Sequence, residues 1–149
     1  MSTQNTETPK KFVREVERLF RIKFRYDMAA SEDNAKAPIW YGEEFDSLKN
    51  PWPRDGWIWL NPPFANLGKW VNKCDLEANL GSKIVSIWPL SSDLNQKAAW
   101  THSCVNVLHG RVWPLVRGCM LCVWDSDRPV YIHGLDWERK KGKLTVEWI

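Results

Sequence analysis

One short apolar segment, ended by two consecutive prolines, limits the possible folds of this chain more than any other feature. Residues 56–60 read GWIWL, and Asn61, Pro62 and Pro63 follow directly. A segment this short cannot form a stable helix, and proline has no N–H with which to continue a central strand. A fully apolar run is typical of a strand buried on both faces of a parallel sheet. The sequence therefore predicts a central strand that ends at Asn61.

The rest of the chain alternates between predicted strands and helices. Helices between the early strands and hairpins between the late ones indicate an α/β fold, with a mostly parallel sheet and an antiparallel edge hairpin. Right-handed crossovers then bring Asp27 and Asn61, at the ends of two strands, to one rim of the sheet, where open α/β sheets bind ligands. The predicted helices are 8–21, 67–80 and 94–104, and the predicted strands are 22–26, 38–41, 56–60, 83–90, 105–113, 119–124, 130–133 and 143–148.

Ordered structure is predicted to begin at Thr8-Pro9. Residues 1–7 are polar and indicate a disordered lead-in, whereas a Thr before a Pro suits the N-cap and first position of a helix. A length of 149 residues is typical of one domain, which we expect to cover residues 8–149.

Composition excludes several classes of protein. With 44% apolar and 26% charged residues, the chain can bury a core and is not a disordered polyelectrolyte. Its net charge of +3 leans mildly toward polyanionic partners. No apolar stretch approaches the roughly 18 residues of a membrane span, and the amino terminus lacks the apolar core of a secretory signal. We expect a cytoplasmic protein with reduced cysteines, namely Cys74, Cys104, Cys119 and Cys122.

The chain contains 11 tryptophans, which is unusual for its length. Such bulky rings fill the core of a small domain, and this is the simpler interpretation for any single tryptophan. Flat aromatic rings also stack on nucleobases. Composition leaves both roles open.

The tetrapeptide Asn61-Pro62-Pro63-Phe64 carries the strongest chemical signal. The two prolines remove backbone donors and hold nearby carbonyl oxygens rigidly. An Asn side-chain oxygen and a neighbouring carbonyl can together accept both hydrogens of an exocyclic amino group, and the following aromatic ring can stack on its heterocycle. An amide has no basic lone pair, so Asn61 could orient and polarise the amine without acting as a general base. This pattern suits alkylation of an amino group.

On these residues the chain resembles the small phage-type, Dam-like DNA adenine N6-methyltransferases, over roughly residues 8 to 124. Amino-methyltransferases carry an (Asn/Asp)-Pro-Pro-aromatic motif, and all four of its positions match here. Further matching segments are Thr8-Pro9, Asp27-Met28-Ala29-Ala30, Asn34-Ala35-Lys36, the acidic stretch Glu43 to Leu48, Gly68-Lys69-Trp70-Val71, Trp88-Pro89, Trp100 and Gly110-Arg111-Val112.

The resemblance implies methyl transfer from S-adenosylmethionine to the N6 of a flipped-out adenine in DNA, on a single-domain Rossmann-like methyltransferase sheet. It implies no metal, and a location in the bacterial host cytoplasm if the protein derives from a phage. Carried over by position, Asn61, Pro62, Pro63 and Phe64 would form the catalytic motif that holds the adenine. The cofactor-binding positions would be Thr8 and Pro9 near the methionine end, Asp27 and Ala29 in the turn, and Asp46 near the adenosine.

Two departures from the family pattern leave alternatives open. The turn after Asp27 contains no glycine, which slightly favours a degenerate methyltransferase that only binds nucleic acid. Related motifs also serve enzymes that methylate RNA or a protein amide, so the substrate depends on the resemblance. The chain has no evident room for a separate target-recognition domain, although residues 125–143 could form a basic hairpin that contacts phosphates or an ordinary solvated tail.

Other possible sites carry weaker signals. Cys119 and Cys122 form a single CxxC pair inside an apolar segment, with no second pair at zinc spacing, so we predict a buried strand there. The histidines (His102, His109 and His133) stand in separate segments. Ser91-Ser92-Asp93 could contact substrate, but these residues are equally good caps for the next helix.

Overall fold

The structure is a computed structural model that describes residues 8–63, 66–89, 104–109, 119–125 and 132–147. Two helices and eight strands lie within these residues. In chain order they are α1 (Lys10–Phe20), β1 (Phe24–Asp27), β2 (Ile39–Trp40), β3 (Trp57–Leu60), α2 (Leu67–Asn79), β4 (Lys83–Pro89), β5 (Cys104–His109), β6 (Cys119–Trp124), β7 (Ile132–Glu138) and β8 (Lys143–Glu147), with a short 3-10 helix at Glu43–Phe45.

All eight strands form one sheet in the order β2-β1-β3-β4-β6-β5-β7-β8. The strands β2, β1, β3 and β4 are parallel, as predicted, and β3 lies between β1 and β4. In the register, Ile58 of β3 pairs with Ile84 of β4 and Trp59 pairs with Asp27 at the end of β1. The apolar GWIWL segment is therefore an interior strand of the parallel half.

Antiparallel pairing extends further into the sheet than predicted. The edge hairpin β7–β8 is antiparallel, as expected. However, β6 also runs antiparallel to both of its neighbours, β4 and β5, in the middle of the sheet. Every residue of β6 is buried, which suits an interior strand, and hydrophobic pattern alone does not encode strand order. The fold is α/β with a mixed sheet whose parallel half is compatible with a Rossmann-like arrangement.

One helix covers each face of the sheet. Alternate residues of a strand point to opposite faces, so β3 and β4 supply both cores. On one face, Phe12 and Val16 of α1 pack in a cluster with Trp59. On the other face, Val71 of α2 packs in a cluster with Ile58 and Leu60.

Helix α1 begins differently from the prediction. The N-cap residue is Pro9, and no side chain caps the helix; its first hydrogen bond runs from the Val13 N–H to the Pro9 carbonyl at 3.2 Å. Thr8 therefore does not act as the N-cap. Its hydroxyl is used elsewhere, in a long-range contact described below. Helix α2 follows the prediction closely, and Gly81 after it adopts a left-handed φ of 113°.

The tryptophans and cysteines within the described residues mostly belong to the core. Trp52, Trp59, Trp70, Trp88, Trp124 and Trp137 are buried, which confirms the core interpretation for these six. Cys74, Cys119 and Cys122 are buried, reduced cysteines, as expected, and the CxxC pair lies in β6. Burial raises the pKa of the Cys119 thiol to about 11 and that of Cys74 well above its usual value, so both stay protonated at neutral pH.

Several predicted segments lie outside the described residues. These include the lead-in 1–7, Phe64, Ser91-Ser92-Asp93 and most of the predicted helix 94–104. The last residue of that helix, Cys104, instead begins strand β5, where the alternating pattern CVNV favours extended backbone. Neither described helix is long and apolar enough to cross a membrane.

Candidate functional site

The site is built where two adjacent parallel strands end. Strand β1 ends at Asp27, and β3 ends at Leu60, directly before Asn61. Because β1 and β3 are paired in parallel, Asp27 and Asn61 come to the same rim of the sheet. The structure thus confirms that the rim brings these two residues together, and both line one cavity.

The Asn61 side chain is held by a residue from the start of the chain. Its amide Nδ2 donates a hydrogen bond to the Thr8 Oγ1 at 3.0 Å. Thr8 is almost completely buried, whereas Asn61 is half-buried. Because the Asn61 Nδ2 points at Thr8, the Oδ1 on the other side of the planar amide points away from Thr8. Thr8 therefore orients Asn61.

The backbone that precedes Asn61 is also held in place, by a hydrogen bond from strand β4. The Ser86 hydroxyl on β4 donates to the Leu60 carbonyl at 2.9 Å, and Ser86 is fully buried. Pro62 is buried as well, and Pro63 lines the cavity. Two prolines and one buried side-chain hydrogen bond thus make the end of β3 rigid.

A carboxylate organises the turn after β1 that contains no glycine. The Asp27 side chain accepts hydrogen bonds from the backbone N–H of Ala29 at 3.2 Å and of Lys36 at 3.0 Å. The Ala30 N–H also donates to the Tyr41 carbonyl at 3.1 Å. Cofactor-binding turns often contain glycine. In this turn, which contains none, the Asp27 side chain holds the backbone through its two hydrogen bonds.

Burial dominates the ionisation of Asp27. Desolvation raises the pKa of this carboxyl to about 6, although the N–H groups of Lys36 and Ala29 and the charge of Lys36 oppose the rise. Asp27 is only 3% exposed, so little water compensates its charge. Its charge state therefore changes in a pH range where most aspartates stay ionised.

Lys36 lines the cavity, although no role was predicted for it. It is 3% exposed, and its Nζ donates to the Asn34 carbonyl at 2.7 Å. Asn34 in turn accepts the Ser31 N–H at 2.7 Å through its side-chain oxygen. The Asn34-Ala35-Lys36 segment was a signal of resemblance, but only the fold brings its lysine to the Asp27 turn.

A second loop presents Asp46 to the cavity. Asp46 adopts a left-handed φ of 54°, and Asn50 donates to the Asp46 carbonyl at 3.2 Å. The neighbouring Ser47 donates from its hydroxyl to the Met28 carbonyl at 2.6 Å, which ties this loop to the Asp27 turn. Trp52 closes the loop by donating to the Ser47 carbonyl at 2.7 Å.

These elements surround a cavity of about 920 Å³. This volume is within the usual range for organic ligands and cofactors. Within the described residues, its walls do not include Pro9 or Pro62. Six of the predicted site residues line it, namely Thr8, Asp27, Ala29, Asp46, Asn61 and Pro63.

The lining combines aromatic rings with an excess of negative charge. Among its described residues, Lys36 is the single basic side chain. Such walls suit an organic cation that also carries a heterocycle, since carboxylates attract the charge and rings pack on the flat group. The acidic residues are Asp27, Glu32, Asp33, Glu43, Glu44 and Asp46, and the aromatic ones are Trp40, Tyr41, Trp59 and Trp70.

The acidic side chains that line the cavity are not grouped in the way that metal ligands are. Within the described part of the chain, no cluster of three His, Cys, Asp or Glu side chains is arranged to hold a metal ion.

Comparison with known proteins connects this geometry to one family. The chain matches the family described as DNA N-6-adenine-methyltransferase (Dam) over residues 3–113, which include the Asp27 turn and the Asn61 motif. It is also similar to a DNA N-6-adenine-methyltransferase of Escherichia phage T1, with 31% identity over 67 residues. That match covers 45% of this chain and 28% of the phage protein, so the chain aligns with less than a third of that relative.

Proposed function

The chain belongs to the DNA N-6-adenine-methyltransferase (Dam) family, and from this premise we propose that it transfers a methyl group from S-adenosylmethionine to the N6 amine of adenine in DNA. One observation carries the proposal. The Asn61 amide, oriented by Thr8 at 3.0 Å, and the Asp27 turn line the same cavity. An acceptor for an amine and a pocket for a cationic donor therefore adjoin each other.

Asn61 would hold the attacking amine. Its Oδ1 and a neighbouring backbone carbonyl would accept the two hydrogens of the adenine N6 group, and these acceptors would stabilise the positive charge that develops on the nitrogen. The rigid backbone at Pro62-Pro63 keeps the acceptors aligned before substrate arrives. Asn61 itself takes no proton, because an amide is not a base at neutral pH.

The Asp27 turn and the Asp46 loop would hold the cofactor. Asp27, Ala29 and Asp46 line the cavity. Thr8 contacts Asn61, and Pro9 is the next residue in the chain. S-Adenosylmethionine, when bound, supplies an already activated methyl group. The task of these residues is then to fix positions and to exclude water, which is catalysis by proximity and orientation.

The target adenine would leave the DNA stack. Its N6 amine is paired and stacked in a duplex, so the base must be flipped or taken from a single strand. Phe64, next to the described prolines, is the residue that we propose stacks on the flipped ring. Stacking of this kind contributes about 1–3 kcal/mol per base, which offsets part of the cost of flipping.

A methyl-transfer assay tests the proposal directly. Unmethylated DNA is incubated with S-adenosylmethionine labelled in its methyl group, and the nucleosides are analysed by mass. We expect N6-methyladenine with the natural chain and almost none with Asn61→Ala. Asn72→Ala is the matched control, because Asn72 is an exposed asparagine on α2 that does not line the cavity.

The same experiment separates the alternatives. Label in RNA or in protein, with none in DNA, would assign the chemistry to another substrate. Absence of label in every substrate, together with DNA binding and no thermal stabilisation by the cofactor, would favour the non-catalytic binding module. A cofactor at about 100 times its Kd stabilises the folded state by about 2.7 kcal/mol, which a thermal shift detects easily.

A further inference from the structure

The β7–β8 hairpin lies beyond the part of the chain that matches the family, yet it is firmly docked on helix α1. Phe12 and Trp137 pack edge to face with ring centroids 5.1 Å apart. The Leu144 N–H donates to the Glu15 carboxylate at 3.1 Å, and Arg18 donates to the Leu144 carbonyl at 2.9 Å. The hairpin is thus held at a defined position relative to the amino-terminal helix.

The turn of this hairpin lies beside the first turn of α1. Gly142 has a φ of 62°, and its N–H donates to the Glu138 carbonyl at 2.8 Å, which closes a tight turn. The Lys11 side chain lies so close to Gly142 that any side chain at this position would displace it. Lys11 and the turn at residues 139–142 therefore form one continuous surface.

This surface is strongly basic. We define the basic ridge as six exposed residues on α1 and the β7–β8 turn. The acidic side chains near it are largely occupied: Glu17 pairs with Arg14 at 2.8 Å, and the exposed Glu138 with Lys141 at 3.3 Å. The Glu138–Lys141 pair is exposed on both sides, so it contributes little and exchanges readily for other partners, whereas Glu17 of the other pair is buried. The six residues of the basic ridge are Lys10, Lys11, Arg14, Arg139, Lys140 and Lys141.

The basic ridge begins next to the candidate catalytic residue. Lys11 is three residues after Thr8, whose hydroxyl contacts Asn61. Three residues span at most about 11 Å of chain, and successive phosphates of one DNA strand are about 3.4 Å apart along the axis. A strand that places a base at Asn61 therefore has phosphates within reach of this surface.

Charge is separated between the two sides of the site. The cavity walls are acidic, whereas the basic ridge is cationic, although the whole chain has a net charge of only +3. Acidic walls repel phosphates, so a DNA strand is steered toward the Thr8 side of the site. The large exposed apolar side chains of the described residues lie on β2, on α2 and directly after α2, so the ridge lacks the apolar contacts of a membrane-binding surface.

We infer that the basic ridge contacts the backbone phosphates of the DNA whose adenine enters the cavity. This inference rests on the proposed function for the identity of the polymer. Phosphate contacts fix the position of a protein on DNA without reading its sequence. The ridge would thus supply affinity and register on the DNA.

The test compares two double variants with equal loss of charge. Lys10→Ala/Lys140→Ala removes one lysine from each side of the ridge. Lys23→Ala/Lys83→Ala removes two exposed lysines at the amino-terminal ends of β1 and β4, at the opposite rim of the sheet. Binding to a fluorescent duplex is measured by anisotropy between 50 and 200 mM salt. Thermal unfolding, with and without S-adenosylhomocysteine, verifies folding and the cofactor site.

The ridge variant should bind every duplex sequence more weakly, and the slope of log K against log salt should become shallower by about 1.8. The opposite-rim variant should behave as the natural chain does. An unchanged slope in the ridge variant would overturn the inference. If the ridge substitutions weaken DNA binding but the natural chain transfers no methyl group, the inference about the ridge is supported and the proposed function is refuted. If the natural chain transfers methyl groups but the ridge substitutions leave DNA binding unchanged, the proposed function is supported and the inference about the ridge is refuted.

Discussion

Thr8 and Asn61 are 53 residues apart in the chain, yet the Asn61 amide donates a hydrogen bond to the Thr8 hydroxyl at 3.0 Å. This contact joins the loop before α1 to the end of β3. It commits the amide nitrogen to the protein and so sets the direction of the Oδ1 acceptor. The orientation of the proposed catalytic side chain therefore depends on a residue that precedes helix α1.

Replacing Thr8 with Val should reduce methyl transfer while the domain stays folded. Valine keeps the shape of threonine but cannot accept a hydrogen bond, so the Asn61 amide loses its orientation. Loss of one buried hydrogen bond costs about 1–1.5 kcal/mol, which corresponds to about a 10-fold lower kcat/KM. Thr8→Ser retains the hydroxyl and should keep most of the activity. Equal kinetics for the Val and Ser variants would refute the positioning role of Thr8.

Asn61→Asp should retain more activity than Asn61→Ala. A carboxylate oxygen can replace the amide oxygen as acceptor, and the Thr8 hydroxyl can reverse its role and donate to the carboxylate. Alanine removes the acceptor, and loss of such preorganised polar groups costs about 100-fold or more in kcat. Initial rates of methyl transfer at saturating cofactor give the comparison. If Asp and Ala variants were equally inactive, acceptance by the side-chain oxygen would not explain the role of Asn61.

The buried Asp27 should make stability depend on pH with an unusual sign. Its folded-state pKa of about 6 lies above the ordinary value of 3.8, so the folded protein binds this proton more tightly than the unfolded chain does. The resulting stabilisation is complete below about pH 4 and is lost as pH rises through about 6; at about 1.4 kcal/mol for each pKa unit it amounts to about 3 kcal/mol.

Urea unfolding of the natural chain and of Asp27→Asn checks this expectation. The Asn variant should be less stable at every pH. Asp27 accepts hydrogen bonds from two backbone N–H groups, and the amide NH₂ of asparagine would place a donor opposite one of them. The difference between the two proteins should be larger at pH 4 than at pH 7.5. A difference that stays constant across this range would show that Asp27 does not titrate as inferred.

The rim of the site could be predicted from the sequence because it depends on local pattern. An apolar run stopped by two prolines fixes the end of β3, and the alternation of Ile22 to Tyr26 locates β1 before Asp27. Parallel pairing then follows from the intervening segments. These rules use only neighbouring residues and the handedness of crossovers, so they needed no tertiary information.

The remaining parts of the site depend on long-range contacts, which local pattern does not reveal. Thr8 has the sequence signature of an N-cap, but its hydroxyl serves Asn61 instead. Ser86 is a single polar residue in a strand, and only the register with Leu60 shows what it supports. The central position of β6 was missed for the same reason, because strand order is set by packing of the whole sheet.

The acidic walls of the cavity should discriminate between the cofactor and its product. S-Adenosylmethionine carries a sulfonium charge that S-adenosylhomocysteine lacks, and Glu43 and Glu44 are exposed carboxylates in the lining. Replacing both with Gln should weaken binding of the sulfonium compound by a few-fold more than binding of the product, since each exposed charge contributes about 0.2–1 kcal/mol. Calorimetric titration with both ligands gives the ratio of affinities, and Glu138→Gln is the control, because Glu138 is an exposed carboxylate that does not line the cavity. High salt should diminish the same preference in the natural chain, because exposed charges are screened. If the Gln substitutions weakened the binding of both ligands equally, the walls would contribute to binding through their shape and not through their charge.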